Sequence, residues 1–308
     1  GRTMAYTAVF GSVFVDIKGF PFRKYLPTGR NVGDVKITHG GVSRNVAENL
    51  ANVGSTVSFV TMLETDGIGE DVHRRLAARG VDLKYAVSAG AGMGMWLAVF
   101  DENGDLAGSI SRQPDFSTLE RQVELYGDEI VRNCENIVLE IDMRASIAEK
   151  VFALAEKYNK DVCVIVGNMS VILQRPEFLG KARLFIMNEI EGGSLFNCKL
   201  EQDDPEAVLE ITRREADARG IREIVVTLGS HGAVFYDTES GDSGHIPPEP
   251  TIMVDSTGAG DAFFSGTVAA RTKGMSLRCA ARLGAKLASL TIQSDENTCP
   301  RLENFLNQ

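Results

Sequence analysis

Short apolar runs alternate with longer amphipathic segments along most of the chain, and this alternation constrains the fold more than any other feature of the sequence. Residues 57–62 have the pattern of a buried strand, and residues 69–78 have the helical periodicity that follows it. The same pairing recurs at residues 136–141 and 147–158. Because strands that alternate with helices form parallel sheets covered on both faces, the sequence predicts a three-layer α/β/α sandwich with a mainly parallel sheet.

Further elements are predicted near both ends of the chain. Residues 7–15 are predicted as one strand, and residues 43–53 as a helix that Gly54 ends. Two more helices are predicted at about 259–273 and 277–292. Two of these helices begin at glycine-rich sequences that carry the candidate site.

Two inserted segments are predicted to form a small β-sheet lid. One contains strand-like runs on both sides of Asp-Glu-Asn-Gly-Asp at 101–105, a typical hairpin sequence. The other is an extended patch near the N-terminus. Because the sequence shows no internal repeat or long linker, we predict one domain over residues 1–308, with lid strands inserted at about 16–39 and 92–112.

The charge balance argues against several classes of partner. The chain has 42 acidic and 32 basic residues, for a net charge of −10, which disfavours nucleic acid and anionic membrane as partners. No apolar run approaches the roughly 20 residues of a membrane helix, and the first residues lack a secretory pattern. The five cysteines are odd in number and widely spaced. We therefore expect a protein of the reducing cytoplasm.

The most informative motif is Asp-Ser-Thr-Gly-Ala-Gly-Asp at 255–261, directly before a long apolar-faced helix. Amide groups in the first turn of a helix carry partial positive charge, and Gly258 and Gly260 would let an anion approach them. Asp261 would then be placed to accept a proton from a hydroxyl that attacks a phosphoryl group. An N-capping aspartate on a glycine-rich turn is the competing interpretation of the last four residues alone.

Other nucleotide-binding motifs are absent from the sequence. There is no Walker A sequence, and Phe263 stands where a dinucleotide fingerprint would have its third glycine. A Rossmann dehydrogenase is therefore disfavoured.

A second glycine-rich junction precedes the helix predicted at 43–53. The paired Gly40 and Gly41 permit close approach of a ligand and a hinge for the lid. Asn45 offers both a donor and an acceptor, as a vicinal diol requires. Asp16 follows the first predicted strand, at the sheet edge where ligands bind in open α/β folds. Taken singly, Asn45 could equally be a solvent-facing helix residue and Asp16 a turn former.

Together, the two motifs resemble the signatures of the ribokinase-like (PfkB-type) carbohydrate kinases, in the family's order and spacing. The resemblance covers about residues 6–300. It implies a ribokinase-like fold and transfer of the γ-phosphoryl group of ATP, with Mg²⁺, to a primary sugar hydroxyl. Its assignments are Asp261 as the base, Gly258, Ala259 and Gly260 as the anion hole, and Asp16, Gly40, Gly41, Asn45 and Asp261 as substrate contacts.

The resemblance also assigns the nucleotide side. Asn188 and Glu191 match an Asn-x-x-Glu element, with Asn188 toward the phosphates and Glu191 toward Mg²⁺ through water; an ordinary polar helix start is the alternative. Asp142 aligns with a substrate-side acidic position, and Asp255 with a monovalent-cation site for K⁺. The other residues assigned to ATP are Thr227, Gly229, Ser230, Gly232, Gly258 and Gly260, although Gly229 and Gly232 alone could be hairpin glycines.

One departure concerns the loop after the predicted strand at 162–166. The family often has an Asp-Pro-type pair there, whereas this chain has Gly167-Asn168. The usual metal and water network therefore lacks a carboxylate at this place, and Asn168 could substitute as a neutral ligand.

Within the family, residues 40–50, 239–244 and 294–300 most resemble pseudouridine kinases, so the expected acceptor is O5′ of pseudouridine. The alternatives are a ribokinase, a fructokinase or another sugar kinase, and a non-catalytic binding relative. Trp96, the only tryptophan, lies in the predicted lid, where it could anchor the lid, form a dimer contact or stack on a substrate. Exposed lid strands often pair across a two-fold axis, so a homodimer through the lid is a further expectation.

Overall fold

The computed structural model describes residues 5–250, 258–293 and 297–307. Within them the chain forms twelve strands and nine α-helices. The strands are β1 (Tyr6–Phe10), β2 (Phe14–Pro21), β3 (Gly33–Gly40), β4 (Val57–Val60), β5 (Gly94–Phe100), β6 (Leu106–Arg112), β7 (Cys134–Glu140), β8 (Val162–Ile165), β9 (Leu184–Asn188), β10 (Glu223–Thr227), β11 (Ala233–Asp237) and β12 (Ser243–Ile246). The helices are α1 (Val42–Asn52), α2 (Gly67–Ala78), α3 (Phe116–Asn133), α4 (Ala145–Tyr158), α5 (Ser170–Gln174), α6 (Glu189–Phe196), α7 (Pro205–Arg219), α8 (Ala259–Thr272) and α9 (Leu277–Ile292).

Eight strands form the main sheet in the order β12-β11-β10-β9-β8-β7-β1-β4. The pairs from β10 to β4 are parallel, and β11 and β12 continue the sheet antiparallel. One buried apolar cluster contains residues of α3, α4, α6 and α7, and the other contains residues of α1, α2, α8 and α9. The predicted three-layer sandwich with a mainly parallel sheet is confirmed.

The first strand shows how the main sheet is buried on both faces. Val9 belongs to the cluster with α1 and α8, and its neighbours Ala8 and Phe10 belong to the opposite cluster. All three side chains are fully buried. Successive side chains point to opposite faces of a strand, so a strand covered on both sides is mostly apolar. Burial of a side chain the size of Val or Phe contributes about 1.5–3 kcal/mol.

The prediction of one strand over residues 7–15 is wrong. β1 ends at Phe10, and β2 begins at Phe14 in a different sheet. A Cβ atom at Gly11 would lie 1.9 Å from the Ser43 Oγ atom, so the backbone crosses directly against the start of α1. The apolar pattern does not reveal this crossing because the segments on both sides of it are strand-like.

The remaining four strands form the lid, a smaller sheet in the order β3-β2-β5-β6. Its β5–β6 hairpin has the predicted turn. The Asp101 carboxylate accepts the amides of Asn103 and Asp105 at 2.8 and 3.0 Å, and Gly104 has φ +81°. The predicted small lid is confirmed.

Helix α3 and strand β12 were not predicted from the sequence. α3 buries Leu119, Val123 and Ile130, a helical spacing that could have identified it. β12 is a four-residue edge strand of mixed polarity, which carries little periodic signal.

No described helix is both long and apolar enough to cross a membrane. All five cysteines have free thiols.

Candidate active site

The glycine-rich turn before α8 is packed tightly on one side and open on the other. Gly258 has φ +81°, in the left-handed region that favours glycine. A Cβ atom there would lie 2.0 Å from the Asn297 carbonyl oxygen. Gly260 is exposed and has open space where a Cβ atom would stand. The amide groups of the first helical turn, including that of Ala259, therefore have room for an anion on the Gly260 side.

Asp261 connects α8 to α1. The Asn45 Nδ2 atom donates a hydrogen bond to Asp261 Oδ2 at 2.8 Å, across 216 positions of sequence. Burial raises the pKa of Asp261 to about 6; the Asn45 hydrogen bond and the Arg44 cation oppose this rise, and Glu191 and Glu140 add to it. Such a carboxyl group is ionised at neutral pH and can accept a proton from a hydroxyl in a transition state.

The Asp16 carboxylate lies against Gly40, the first of the paired glycines where the lid joins α1. A Cβ atom at Gly40 would lie 2.8 Å from Asp16 Oδ2. Gly41, with φ +94°, stands directly before α1 and one turn before Asn45. Because Gly40 has no side chain, the carboxylate borders the backbone that leads into α1.

One buried cation influences both aspartates. Burial raises the pKa of Asp16, while Lys18 and Arg44 lower it. Arg44 also lowers the pKa of Asp261. Asp16 and Asp261 thus lie within the field of the same guanidinium, and the fold brings the sugar-side residues predicted from the first motif to the aspartate of the second.

Glu140 is a site residue that the sequence-based assignment missed. Its Oε2 atom accepts the Ser12 hydroxyl at 2.8 Å, and its Oε1 atom accepts the Ser43 hydroxyl at 2.6 Å. The carboxylate thereby ties the end of β7 to the β1–β2 crossing and to the start of α1. Burial raises its pKa. Its position at the end of a predicted strand was an available signal, since ligands bind at the carboxyl ends of parallel strands.

Asp142, assigned to the substrate side, contacts the loop after β8. Its Oδ2 atom accepts the Gly167 amide at 2.6 Å, and its Oδ1 atom accepts the Val171 amide at 3.1 Å. A Cβ atom at Gly167 would lie 3.3 Å from Asp142 Oδ2. A carboxylate therefore lies beside Gly167-Asn168, although that sequence contains none.

Asn188 and Glu191 form a reciprocal cap at the start of α6. Asn188 Oδ1 accepts the Glu191 amide at 2.8 Å, and Glu191 Oε1 accepts the Asn188 amide at 2.9 Å. The two residues therefore form an ordinary polar helix start, which was the alternative to a nucleotide-binding role. The same cap also fixes the Glu191 carboxylate beside the site. Burial raises the pKa of Glu191, the Asn188 amide lowers it, and nearby Asp142 and Glu189 raise it further.

The loop after β10 continues this edge of the sheet. Thr227 is directly opposite Asn188 in the parallel β9–β10 pair. A short 3₁₀ turn, Gly229–His231, includes the exposed Ser230. Gly232 has φ +88°, and a Cβ atom there would lie 2.0 Å from the Ile246 carbonyl oxygen. Gly229 and Gly232 thus lie in the turn of the β10–β11 hairpin, and this turn adjoins Asn188.

The residues present fit Mg²⁺ held through water and phosphate oxygens. Within the described ranges no group of three or more His, Cys, Asp or Glu residues could hold a metal directly. Glu191 has one oxygen in the helix cap, and carboxylates nearby raise its pKa, a cost that a cation would relieve. Mg²⁺ commonly keeps several waters and binds one or two carboxylates plus substrate phosphates. Asp255, assigned to K⁺, lies outside the described residues.

A helix start open to an anion, a carboxyl group beside it and an amide that donates to that carboxyl group are the arrangement that a phosphotransferase with an alcohol acceptor requires. The family model for pfkB family carbohydrate kinases matches residues 4–302. The chain belongs to this family, which confirms the resemblance recognised from its two signatures. As such a kinase it uses ATP and acts on a small sugar or nucleoside.

Similar proteins include both nucleoside and sugar kinases. Guanosine-inosine kinase of Exiguobacterium acetylicum is 35% identical over 94% of this chain and 95% of its own. Pseudouridine kinase of Escherichia coli strain K12 is 23% identical over 98% of this chain and 95% of its own. Arabidopsis thaliana ribokinase, solved with ribose and ATP, superimposes with a TM-score of 0.81 at 23% identity, covering 97% of each chain. The ribokinase-like fold is thereby confirmed.

Proposed function

We propose that this kinase transfers the γ-phosphoryl group of ATP to the 5′-hydroxyl of a ribonucleoside. The observation that carries the proposal is the hydrogen bond between Asn45 and Asp261. It joins a side chain suited to ribose hydroxyls to a carboxylate at the open start of α8. A ribose held by Asn45 would therefore present its primary hydroxyl close to the base.

Asp261 accepts the proton of the 5′-hydroxyl as its oxygen attacks the γ-phosphorus. The bond between that phosphorus and the β–γ bridging oxygen breaks, and ADP leaves. The backbone amides of Gly258, Ala259 and Gly260 stabilise the charge on the transferring oxygens. Lid closure excludes water, which would otherwise compete as acceptor.

The remaining residues orient the two substrates. We assign Asp16, Gly40, Gly41 and Asn45 to the ribose hydroxyls, and Glu140, rather than Asp142, as the carboxylate that supports this side. Mg²⁺, when bound, neutralises phosphate charge, with Glu191 holding it through water. The residues assigned to ATP are Asn188, Thr227, Gly229, Ser230, Gly232, Gly258 and Gly260.

An aromatic surface on the lid favours a nucleoside over a free sugar. Trp96 is directly opposite Asp16 in the β2–β5 pair, so both side chains lie on the same face of the lid. Trp96 is half-buried and meets Phe100 edge-on at 6.5 Å, and Phe100 stacks on Phe20 at 5.0 Å. A planar base attached to a ribose near Asp16 could stack on this surface.

Two kinds of nucleoside are the leading acceptors, purine nucleosides and pseudouridine. The relative at 35% identity is named for guanosine and inosine, and the one at 23% for pseudouridine. We place a purine nucleoside first and pseudouridine second. Ribose and fructose are the alternatives if the aromatic surface has another use.

The test is ADP release with Mg²⁺-ATP against guanosine, inosine, pseudouridine, uridine, ribose, fructose and 2-keto-3-deoxygluconate, with Asp261→Ala as the control. We expect a nucleoside to give the highest kcat/KM and the variant to be inactive. A free sugar as best acceptor would retain the catalytic assignment and overturn the nucleoside class. ATP binding without turnover on any acceptor would favour a non-catalytic binding protein.

The single tryptophan gives an independent measurement. Nucleoside titrations should change the Trp96 fluorescence, whereas ribose, which has no base, should leave it nearly unchanged. An equal response to ribose and to nucleosides would remove the support that Trp96 gives to the nucleoside class.

We also propose a homodimer formed through the apolar face of the lid, the face opposite Asp16 and Trp96. Ile37, Ile17, Leu97 and Ile110 are successive partners across the four strands, and Ile37, Leu97 and Ile110 are 58%, 44% and 69% exposed. A continuous apolar row on an open sheet suits a second copy of the same row.

Sedimentation of Ile37→Glu tests the dimer, with Leu125→Glu on α3 as the matched control, since Leu125 is also an exposed apolar residue. We expect Ile37→Glu to be monomeric and Leu125→Glu to remain dimeric. A monomeric wild-type protein would overturn the assignment.

A further inference from the structure

We propose that Arg44 and Glu48 form a buried positioning pair that holds the Asn45 side chain in the orientation in which it donates to Asp261. The inference rests on the kinase function proposed for this site. Neither Arg44 nor Glu48 is among the residues that the signature motifs assign.

The pair is completely enclosed. Arg44 and Glu48 both have no exposed side-chain surface, and Arg44 Nη1 donates to Glu48 Oε2 at 2.5 Å. The second terminal nitrogen, Arg44 Nη2, donates to Asn45 Oδ1. The guanidinium therefore links an anion one helical turn away to the amide of the neighbouring residue.

The hydrogen bond from Arg44 determines which way the Asn45 amide faces. A carboxamide has one acceptor oxygen and one donor nitrogen. With its oxygen directed to Arg44, the Nδ2 atom is directed to Asp261 Oδ2 at 2.8 Å. A flipped amide would place its oxygen against the carboxylate and its NH₂ group against the guanidinium, which are two repulsive contacts.

Glu48 is in turn held by the neighbouring helix. Arg75 Nε of α2 and the Nε atom of Arg79, the residue directly after α2, lie 3.2 and 3.4 Å from Glu48 Oε1. Desolvation offsets most of the attraction in a buried ion pair, so such pairs are often replaceable by apolar residues without loss of stability. Folding stability alone is therefore a weak reason for this pair, whereas orientation of Asn45 is a specific one.

The positive charge of Arg44 also favours the ionised form of Asp261, the carboxylate to which the Asn45 amide donates. Three charged groups from different elements act on Asp261: Arg44 of α1, Glu191 of α6 and Glu140 of β7. Arg44 favours the ionised carboxylate, and the two glutamates oppose it. Loss of Arg44 would remove this cation and release the Asn45 amide that donates to the carboxylate.

The experiment compares Arg44→Met/Glu48→Met, which removes both charges together, with Arg44→Lys, which retains the cation. The matched control is Arg271→Met/Glu223→Met, because Arg271 Nε also donates to a buried glutamate, at 2.8 Å, and Glu223 lies at the amino end of β10, opposite the strand end that adjoins the site. The pKa of Asp261 is followed by ¹³C NMR of its carboxyl carbon and, separately, by the acid limb of kcat/KM.

In the Arg44→Met/Glu48→Met variant we expect both midpoints to rise by about one pH unit and KM for the acceptor to increase. Arg44→Lys should keep the midpoint and raise KM, because an ammonium group lacks the planar fork that contacts two partners at fixed geometry. The control should keep the wild-type midpoints even if it lowers the melting temperature.

Wild-type midpoints and wild-type KM in Arg44→Met/Glu48→Met would overturn the positioning role. The NMR titration requires no turnover, so it tests this inference even if no acceptor is phosphorylated. A shifted NMR midpoint in a protein without phosphotransfer would reject the proposed function and retain the pair's effect on Asp261.

Discussion

The two sheets of this kinase differ in how their positions are stabilised. Every residue of β4, β8 and β11 in the main sheet is buried. In the lid, all seven residues of β6 and six of the eight residues of β3 are exposed. The main sheet is therefore stabilised by burial in the apolar core, whereas the lid depends on contacts where its strands meet the rest of the protein.

Because of this difference, residues important for folding and residues proposed for substrate recognition can be tested separately in the two sheets. The main sheet carries Glu140, Asn188 and Thr227 at strand ends that burial holds rigidly. The lid contributes Asp16, on an element whose outer surface can change without loss of core contacts. Substitutions in the buried core of the main sheet should thus act on stability, and substitution of Asp16 in the lid on affinity.

The largest effect on activity is expected at Asp261, which belongs to neither sheet. Asp261→Asn removes the proposed base at the α8 start and should lower kcat roughly 10²–10⁴-fold, the usual contribution of a positioned general base. Single-turnover phosphotransfer measures the loss. A kcat within threefold of wild type would remove Asp261 from the role of base.

In the main sheet, Phe59→Ala should lower the free energy of unfolding by about 3–5 kcal/mol, because Phe59 is fully buried and truncation leaves a cavity. Urea denaturation measures the change. A loss under 1 kcal/mol would show that this part of the core can collapse around the deletion.

In the lid, Asp16→Asn should lower kcat/KM for the acceptor roughly 10–100-fold, which corresponds to about 1.5–3 kcal/mol for a hydrogen bond to a charged group. We expect an unchanged urea midpoint, in contrast to Phe59→Ala. A lower midpoint with unchanged KM would contradict the separation between the two sheets.

The pH dependence of folding stability tests whether the pKa of Asp261 is raised. Its pKa is raised from 3.8 to about 6 in the folded protein, so its stabilising contribution is complete below pH 3.8 and is lost as pH rises through about 6. Asp261→Asn should therefore gain about 1–3 kcal/mol relative to wild type between pH 4 and pH 8. Urea titrations of both proteins at the two pH values measure this gain; a constant difference would contradict the raised pKa.

The smallest effect is expected at the far end of the lid. Val32 is 69% exposed, and Val32→Thr should change the free energy of unfolding by less than about 0.5 kcal/mol, as is usual for exposed positions. A loss above 1 kcal/mol would mean that another surface covers this end of the lid in solution.

The fold was predictable where burial forces a pattern. Strand β8, covered on both faces, is apolar throughout, and the hairpin at 101–105 has turn residues suited to its backbone. The division between β1 and β2 was not predictable, because it depends on the contact of Gly11 with Ser43, which are distant in sequence.

The candidate site divides in the same way. Asp261, Gly258 and Asn45 could be proposed from the sequence because an open helix start and a hydroxyl-binding site would each require particular residues at short spacing. Glu140 and Arg44 were not, since their partners come from separate segments or from a buried surface that sequence periodicity does not identify.

The sequence by itself determined the layered α/β fold and the two glycine-rich helix starts, because these depend on local propensity and on patterns that repeat over a few residues. Tertiary structure alone decided that Asn45 would meet Asp261, that Trp96 would share a lid face with Asp16, and that Arg44 would be buried beside both aspartates. Such contacts depend on how distant segments pack against one another, and short-range sequence patterns contain no information about that packing.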